Sequence, residues 1–392
     1  MTNEMRNVPE LRFPEFDGEW EEKTIGKIAT TFSGGTPSST NRSYYNGEIP
    51  FIRSGEISKC STELMINKEA ISNSSAKMVE KGDLLYALYG ATSGEVAISK
   101  ISGAINQAVL CIRSQESVTY IFNYLKMKKD QILKTYIQGG QGNLSASIIK
   151  KVDINLPYKE EQKKIGDFFS KLDHQIELEE KKLELLEQQK RGYMQKLFSQ
   201  ELRFKTKDNV YYSEWQLHKL GEIFKYSQGQ QISVDKQFSV KNNGMKRFIR
   251  IVDITENPEP RFVLYESDTG LVNKGDLFMI RYGRPGIVSI GFEGIIANNL
   301  FKLIPKITIS TIYFYYLLSY NYYRINLLTN NSTMPALNFK SLDLLKFKIP
   351  SYKEQNKIAN FLESIDKLVM KQSDKVKLLK QRKKGFLQKM FI

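Results

Sequence analysis

The stretch PYKEEQKKIGDFFSKLD, residues 157–173, returns 193 residues later as PSYKEQNKIANFLESID, residues 350–366. The correspondence runs without a gap to Phe198 and Phe391, and 16 of the 42 aligned residues are identical. Chance does not produce an ungapped match of this length, so the sequence contains an internal duplication. We therefore expect one structural module to occur twice in this chain.

The duplication also covers residues that precede each stretch. KGDLLYALYG, residues 81–90, matches KGDLFMIRYG, residues 274–283, at the same offset, and Leu144 matches Leu337. Nearer the start the offset drifts by a few residues, so that Trp20 pairs with Trp215. The predicted order is a globule, a long helix, a second globule and a second long helix. The predicted domain bounds are residues 1–156, 157–198, 199–349 and 350–392.

Apolar residues in both repeated stretches recur at alternating steps of four and three, the spacing of the a and d positions in a coiled coil. The predicted seam of the first helix contains Ile165, Phe169, Leu172, Ile176, Leu183 and Leu186. That of the second helix contains Ile358, Leu362, Ile365, Val369, Val376 and Leu379. Polar residues interrupt both seams at equivalent positions, Glu179 and Lys190 in the first and Gln372 and Lys383 in the second. Such interruptions commonly fix the register of a coiled coil.

A helix from Ile165 to Leu197 is about 48 Å long at 1.5 Å per residue, which exceeds the core of a globule of this size. Two such helices in one chain can pack on each other about a pseudo-twofold axis, which makes them antiparallel. We therefore predict an antiparallel coiled coil that acts as a spacer between the globules. The alternatives are an amphipathic helix on the core of its own globule and pairing with a second chain.

Each globule combines predicted strands with a predicted helix. In the first globule IPFIRSGEIS, DLLYALYG and EVAIS are typical of strands, and residues 119–136 are typical of a helix. In the second globule KRFIRIVDIT, DLFMIRYG and IVSIGF are typical of strands, and an aromatic helix begins at Thr311. The predicted fold class is α+β, with two α/β globules alternating with the two long helices.

The composition indicates a globular chain that favours polyanions. Of 392 residues, 41% are hydrophobic and 26% charged, and the net charge is +15. The first 198 residues carry +1 and the remaining 194 carry +14, so the basic excess belongs to the second half. Such a field favours nucleic acid or an anionic surface. Two cysteines without a CxxC pair, no signal sequence and no apolar run of about 20 residues predict a cytoplasmic protein without a membrane span.

The sequence shows no self-contained active site. His174 and His218 are the only histidines and cannot supply an HNH, HExxH or three-histidine metal site. The loop 90–95 lacks the GKS/T ending of a phosphate loop. Asn257-Pro258-Glu259-Pro260 lacks the second proline and the aromatic residue of the NPPY/F methyltransferase motif. We therefore predict no catalytic residues and no metal site in this chain.

Candidate binding residues lie in polar loops that recur at matched positions in the two globules. Asn and Gln can pair with adenine and Arg with guanine in the major groove, while Gly and Ser let backbone amides approach phosphates. Each loop alone also fits an ordinary polar turn, and Arg53 and Arg250 could equally cap strands or pair with an acid. The candidates in the first globule are Thr36, Arg53, Tyr89, Asn106, Gln107, Gln141 and Asn143. Those in the second are Gln230, Arg250, Arg281, Arg284, Asn298, Asn299 and Asn331.

Two α/β globules alternating with two similar long helices resemble the specificity subunit of a type I restriction-modification system. Each helix is entered through a proline and a Glu-Gln-x-x-Ile phrase, and the resemblance covers essentially the whole chain. The residues that support the resemblance most strongly are Pro157, Glu161, Gln162 and Ile165 in the first copy and Pro350, Glu354, Gln355 and Ile358 in the second. The two YG loops and the match of Leu144 with Leu337 support it.

The resemblance implies that each globule is a target recognition domain that reads one half of a bipartite, asymmetric site in double-stranded DNA. It implies that the helices hold these domains apart and dock methyltransferase (M) subunits, two per chain, and that restriction (R) subunits join the complex. Catalysis would belong to those partners, with S-adenosylmethionine for adenine N6 methylation and ATP and Mg²⁺ for translocation and cleavage. Loops 33–47 and 227–243 do not match each other, so two different half-sites are expected.

Two alternatives belong to other functional classes. The first is a self-sufficient DNA methyltransferase or endonuclease with an unrecognised active site, which would act without added subunits. The second is a coiled-coil adaptor that binds DNA regardless of sequence, for which a steep dependence on salt would be the signature.

Overall fold

The structure, a computed structural model, describes residues 7–136, 143–256, 258–329 and 335–392. The first half of the chain forms β1 Glu21–Thr24, α1 Ile25–Ile28, β2 Ala29–Ser33, β3 Ile49–Ile52, β4 Met65–Ile66, α2 Lys68–Ser72, β5 Lys77–Val79, β6 Leu84–Ala87, β7 Val96–Ile98, β8 Gly103–Ile105, β9 Val109–Ser114, α3 Val118–Tyr136, α4 Ala146–Lys150, β10 Asp153–Leu156 and α5 Lys159–Phe198. The second half forms β11 Gln216–Lys219, α6 Leu220–Ile223, β12 Phe224–Gln228, β13 Met245–Ile249, α7 Ile251–Thr255, β14 Arg261–Leu264, β15 Leu271–Val272, β16 Leu277–Ile280, β17 Val288–Ser289, β18 Gly294–Ile296, β19 Leu300–Pro305, α8 Thr311–Tyr320, α9 Tyr322–Asn326, α10 Phe339–Asp343, β20 Lys346–Ile349 and α11 Tyr352–Met390.

The chain divides into two compact units, and each contains one globule and a segment of both long helices. Unit 1 comprises Met1–Lys181 and Asp374–Ile392, whereas unit 2 comprises Lys182–Ser373. Each unit therefore holds part of α5 and part of α11, beside the globule that its own residues form.

In the part of unit 1 that the structure describes, three sheets build the globule. Strands β2, β9, β6 and β7 form an antiparallel sheet in that order, and β1 pairs with β10. The third sheet has the order β4, β3, β8, β5, and its central strands are parallel, with Phe51 beside Ala104 and Ile52 beside Ile105. Parallel neighbours need a long connection, here the chain between residues 53 and 102.

Strand β6 shows why the repeated KGDLLYALYG stretch is apolar throughout. Alternate side chains of a strand point to opposite faces of a sheet. Leu84 and Tyr86 belong to the core that contains α3, whereas Leu85 and Ala87 belong to a second core with Ile52 and others on the opposite face. The strand is buried on both faces because it separates these two cores.

Unit 2 has the same topology. Strands β12, β19, β16 and β17 form one sheet, β14, β13, β18 and β15 form another, and β11 pairs with β20. Its parallel pair places Ile249 beside Ile296. Strand β16 likewise separates two cores, with Leu277 and Met279 on one side and Phe278 and Ile280 on the other. The predicted internal repeat and the α+β class are thus confirmed in the fold.

The Glu-Gln-x-x-Ile phrase at the start of each long helix contains a buried glutamate. This glutamate binds an arginine from the chain segment that precedes the globule. Glu161 is fully buried and accepts hydrogen bonds of 2.8 and 2.7 Å from Nε and Nη2 of Arg12. The Arg12 guanidinium also donates to the backbone carbonyls of Asp17 and Gly18. Arg203 repeats this arrangement on Glu354 at 3.3 and 2.9 Å. A buried carboxylate requires such a partner, since an isolated buried charge is strongly unfavourable.

The glutamine of the phrase joins the helix to the globule. In unit 1 the Gln162 side chain donates to the carbonyl of Pro157 and accepts from the backbone N–H of Ser117. In unit 2 Gln355 makes the same two bonds with Pro350 and Ser310. These bonds satisfy backbone groups at the entrance to α3 and α8, so the phrase is explained by packing within each unit.

Within unit 1 the two long helices run antiparallel. The ring of Phe169 stacks on that of Phe391, the residue that follows α11, with centroids 5.8 Å apart, and Lys375 of α11 pairs with Glu179 at 2.5 Å. As residue numbers rise along α5, those of the partners on α11 fall. Phe169 also lies in the globule's core with Ile165. The first turns of α5 therefore pack on both the globule and α11.

Within unit 2 the pairing is also antiparallel. Lys190 pairs with Asp366 at 2.5 Å, and the rings of Tyr193 and Phe361 meet edge to face with centroids 5.0 Å apart. All twelve predicted seam residues are buried or half-buried, whereas Leu178, outside the seam, is 53% exposed. The predicted antiparallel coiled coil is confirmed.

Two predicted strands end earlier than the sequence suggested. In IPFIRSGEIS the strand stops at Ile52 and a 3₁₀ turn occupies Ser54–Glu56. In KRFIRIVDIT the strand stops at Ile249 and α7 begins at Ile251. The prediction of strand for the second part of both stretches was wrong. The reason is an acid three residues after each arginine, Glu56 and Asp253, which accepts from the arginine's backbone N–H and so starts a helical turn.

Candidate nucleic-acid interface

In unit 1 the loops that follow β2 and β8 meet beside the parallel strand pair. The backbone N–H of Gly35 donates to the carbonyl of Ile105 at 3.2 Å, and a Cβ on Gly34 would lie 1.8 Å from the same oxygen. Only glycine permits this approach. It brings the exposed Thr36 hydroxyl into a hydrogen bond with the side-chain amide of Gln107.

Two neighbouring concave surfaces extend from this contact and share Arg53 and Asn106. The first, of about 480 Å³, is lined by Thr36, Ser39, Arg42, Tyr45, Phe51, Arg53, Leu64 and Asn106. The second, of about 460 Å³, is lined by Arg53, Ser54, Gly55, Glu56, Lys59, Glu63, Tyr89, Gly90, Asn106 and Ala108. Five of the seven candidates in this globule therefore lie in one cluster, in which polar side chains and arginine border an aromatic floor.

Arg53 is held rather than mobile. Its guanidinium pairs with Glu56 at 2.9 Å and with Glu63 at 2.5 Å, and it remains 38% exposed. Burial disfavours ionisation of Glu56, but hydrogen bonds from Arg53 and from the backbone N–H of Glu63 outweigh burial and lower its pKa. The side-chain hydrogen bonds to Glu56 and Glu63 in turn raise the pKa of Arg53. Arg53 thus pairs with acids, which is one of the alternatives that the sequence left open. The pairing fixes its guanidinium at the edge of the cluster.

The cluster of unit 2 is built on an equivalent backbone frame. The N–H of Gln230 donates to the carbonyl of Ile296 at 2.8 Å, and a Cβ on Gly229 would lie 2.1 Å from the carbonyl oxygen of Ala297. Aligning the parallel pairs of the two sheets makes Gln231 equivalent to Thr36 and Asn298 equivalent to Gln107. The Asn298 amide donates to Gln231 at 3.4 Å, so the same position holds a different polar pair.

Arg281 occupies the place in unit 2 that Leu88 occupies in unit 1. Both backbone N–H groups donate to the loop after the parallel strand, Leu88 to Ala108 and Arg281 to Asn299. The Arg281 guanidinium donates to Gln228 at 2.8 Å and lies 4.4 Å from the ring centroid of Phe339. These contacts fix the Arg281 guanidinium in position, whereas the equivalent residue of unit 1, Leu88, carries no charge.

Arg250 and Arg284 are placed differently from one another. Arg250 caps α7 and pairs with the buried Asp253 at 2.8 Å, as Arg53 does with Glu56. Arg247 joins the same carboxylate at 3.2 Å. Arg284 is 59% exposed and lies 4.0 Å from Glu256, the limit of an ion pair. Its guanidinium is available to an external anion.

The remaining candidates divide into four groups. Asn143 is exposed and precedes Leu144, whose N–H donates to the carbonyl of Leu88, so it borders the cluster. Asn299 places its side-chain oxygen in the interior, where it meets no hydrogen-bond partner among the described residues. Gln230 is anchored through its backbone, and its neighbour Gln231 holds the position equivalent to Thr36. Gln141 and Asn331 lie outside the described residues.

Sequence reasoning placed Gln228 and Gln231 in a candidate binding loop but chose Gln230 from that loop, and it did not identify Phe339. The alignment of the loops after β2 and β12 supplies the signal for Gln231, but only once the parallel strand pairs fix the register. Phe339 stands over 50 residues from Arg281 in the sequence, so no local pattern connects them. The cation and its aromatic support come together only in the fold.

Other kinds of site were sought in the parts of the chain that the structure describes. Those parts contain no cluster of three or more His, Cys, Asp or Glu side chains suited to a metal ion. Among the same residues, no helix combines the length and apolar character needed to cross a bilayer.

Comparison with known proteins matches this architecture. The model of the type I restriction modification DNA specificity domain matches residues 17–188 and again residues 212–378. The chain belongs to this family, and with two such domains it is a specificity subunit of a type I restriction-modification system. The two globules are its target recognition domains.

One relative matches nearly the whole chain, and another matches less than half of it. The type I restriction enzyme MjaVIII specificity subunit of Methanocaldococcus jannaschii is 27% identical over 95% of this chain and 92% of its own length. The EcoR124I/EcoR124II specificity subunit of Escherichia coli is 28% identical over 42% of this chain and 43% of its own. The crystal structure of a type I S subunit from M. genitalium superposes with a TM-score of 0.64 at 17% identity, covering 98% of this chain and 99% of that one.

Proposed function

We propose that each globule of this specificity subunit reads one half of an asymmetric, bipartite site in double-stranded DNA. The proposal rests on one difference between the globules. Loops with the same backbone arrangement carry a different pair of hydrogen-bonded polar side chains in each globule. Thr36 with Gln107 in unit 1 and Gln231 with Asn298 in unit 2 stand at equivalent positions of the same loops. Two globules with one architecture but different readers would recognise two different sequences.

The chemistry of the clusters suits base edges and phosphates. Amides of Gln and Asn donate and accept in the pattern that adenine presents in the major groove, and arginine suits guanine. Held side chains discriminate better than mobile ones, because less conformational entropy is lost on binding. Arg53 and Arg281 are both held, by carboxylates in unit 1 and by Gln228 and Phe339 in unit 2.

The charge distribution supports a larger phosphate contribution from the second half. That half carries +14, whereas the first carries +1. Phosphate contacts supply affinity that is independent of sequence, and base contacts supply specificity. Recognition by the first globule would therefore depend on its local cluster, including Arg42 and Lys59, which line the two concave surfaces.

The long helices would set the gap between the half-sites and dock two M subunits. α5 has 40 residues and α11 has 39. Lengthening both by one heptad would add about 10 Å, close to three base pairs at 3.4 Å each. Methylation of adenine with S-adenosylmethionine would take place in the M subunits, and translocation and cleavage with ATP and Mg²⁺ in R subunits. This chain would contribute no catalytic residue.

Genome-wide mapping of N6-methyladenine in cells with and without this gene tests the proposal. We expect one bipartite, asymmetric motif to lose its methylation when the gene is deleted. A purified-component assay separates the alternatives, with methyl transfer expected only when M subunits are added to the chain. Methylation or nicking by the chain alone would identify a self-sufficient enzyme. Binding that follows phosphate charge and ignores sequence would identify an adaptor.

A further inference from the structure

The loop that follows Gln231 in unit 2 presents apolar side chains to solvent, and we call residues 233–241 the apolar loop. Val234 is 82% exposed, Val240 67% and Phe238 44%. Proteins commonly expose single apolar residues at their surface. Three large ones within seven positions of one loop instead indicate a surface that another molecule covers.

Hydrogen bonds and packing hold the apolar loop in place. Val234–Lys236 forms a 3₁₀ turn. The side-chain amide of Gln237 donates to the carbonyl of Ile232 at 2.9 Å, and Ile232 packs against the core of its sheet. Phe238 pairs with Phe262 through two backbone hydrogen bonds of 2.8 Å. A binding partner would therefore meet these side chains without first having to order the loop.

The equivalent loop of unit 1 has a different surface. In residues 36–48, all of which the structure describes, every exposed residue is polar or charged. The two tyrosines of this loop, Tyr44 and Tyr45, instead pack against a core that contains Phe51. The exposed apolar side chains are therefore a property of the second globule and not of the fold that both globules share.

Lysines accompany the apolar side chains. Residues 231–246 contain three lysines, Lys236, Lys241 and Lys246, and one acidic residue, Asp235. Lys236 and Lys241, on the apolar loop itself, are exposed. A positive surface favours a polyanion. The partner that fits this loop therefore combines negative charge with an apolar group.

DNA meets both requirements. The bases present one apolar group in the major groove, the C5 methyl group of thymine, and apolar side chains recognise thymine by contact with it. Lysines beside such a contact can reach the neighbouring phosphates. The apolar loop is continuous with Gln231, to which the proposed function assigns base recognition. Val234 is three residues from Gln231 and is the most exposed of the apolar side chains in the loop.

We propose that Val234 recognises the C5 methyl group of a thymine in the half-site read by the second globule. This inference rests on the proposed function and makes it more specific, because it names one base and the side chain that contacts it. The first globule lacks this contact, since its loop offers polar groups instead. The half-site of the second globule must then contain at least one A·T pair.

The test compares thymine with uracil, which pairs with adenine in the same way but lacks the methyl group. The full chain in complex with its M subunits binds duplexes that carry the mapped motif. Each thymine in the half-site of the second globule, on either strand, is replaced in turn by uracil. Fluorescence anisotropy measures the affinity.

Two variants of the chain are compared in this assay. Val234→Ser removes the apolar groups from a side chain that makes almost no contact with the rest of the protein, so the chain still folds. The matched control Val210→Ser makes the same change in unit 2 at a position that is 62% exposed and lies outside the apolar loop.

For the unaltered chain we expect one replacement of thymine by uracil to lower the affinity by about fourfold, the effect of burying one methyl group. In Val234→Ser the affinity for the thymine duplex should fall, and the same replacement should then change it by less than about twofold. Val210→Ser should retain the full difference between the two duplexes.

Equal discrimination between thymine and uracil by Val234→Ser and the unaltered chain would overturn this inference. A half-site without an A·T pair, or one in which no replacement by uracil lowers the affinity, would do the same. Weaker binding of M subunits by Val234→Ser, with its discrimination unchanged, would assign the loop to a protein surface and also overturn the inference. A complex that shows no sequence preference at all would instead overturn the proposed function.

Discussion

Lys383 of α11 donates to both carboxylate oxygens of Asp173 on α5, and Lys190 of α5 pairs with one carboxylate oxygen of Asp366 on α11. Each pair is the other displaced by 193 residues, with the helices exchanged. Lys383 is buried in the seam, and burial lowers its pKa although Asp173 opposes the change. Two of the four polar interruptions of the seam, Lys190 and Lys383, thus form reciprocal ion pairs, one in each unit, which favour an antiparallel register.

Reversing one of these charges should destabilise its unit. For Asp173→Lys we expect the free energy of unfolding of unit 1 to fall by about 1–2 kcal/mol, because Lys383 is left buried beside a like charge. The value is below that of a fully buried pair, since Asp173 is 39% exposed and partly screened. Chemical denaturation checks it. The exchange Asp173→Lys with Lys383→Asp should restore most of the loss, and no recovery would show that the pair does not set the register.

Removing Arg12 should have a larger effect. Arg12→Met leaves the fully buried Glu161 without its cationic partner, and we expect a loss of about 3 kcal/mol in the unfolding of unit 1. Replacing Glu161 with Leu in the same chain should recover part of the loss. The matched control is Lys23→Met, which removes an exposed pair with Glu21. Equal denaturation midpoints for Arg12→Met and this control would contradict the anchoring role.

The carboxylate of Glu56 gives a pH-dependent prediction. Its folded pKa lies below the ordinary value of 4.5, so its ionised form stabilises the folded state. That contribution is fully present above about pH 4.5 and is lost as the pH falls through the folded pKa. Glu56→Gln should therefore be less stable than the unaltered chain at neutral pH, and the two should converge on acidification. A difference in urea midpoint that is independent of pH would contradict the assignment.

The tight loops of the recognition clusters should not tolerate a side chain. Gly229→Ala would place a Cβ 2.1 Å from the carbonyl oxygen of Ala297, which forces the loop carrying Gln231 to move. We expect specific DNA affinity to fall by about tenfold or more, the equivalent of one lost base contact. Gly275→Ala is the control in the same unit, since a Cβ there meets nothing within 4 Å. Affinity measured by fluorescence anisotropy should stay unchanged for the control.

The sequence predicted those features that repeat or follow a regular period. The 193-residue offset and the a/d spacing were sufficient for the two modules, the long helices and their antiparallel pairing. The all-apolar strand DLLYALYG was predicted as a strand, but its role between two cores depends on the parallel pairing of β3 with β8, which joins residues more than 50 positions apart. No local pattern contains that information.

Local chemistry that was present in the sequence also escaped prediction. Arg53 and Arg250 were assigned to strands that continue for several residues, although an acid three positions later favours a helical turn. The sequence led us to choose Gln230, whereas Gln231 is the residue equivalent to Thr36. Loops of unequal length cannot be aligned until the register of the sheets is known. Arg281 was identified, but its aromatic support Phe339 lies far along the chain.

The most direct measurement of the central claim is the methylated motif written by variants of one globule at a time. Cells would carry the chain with Thr36→Ala and Gln107→Ala, or with Gln231→Ala and Asn298→Ala, and N6-methyladenine would be mapped across the genome. We predict that the first variant relaxes one half of the motif only and the second relaxes the other half only. A palindromic motif, or changes in both halves from either variant, would contradict the assignment of one half-site to each globule.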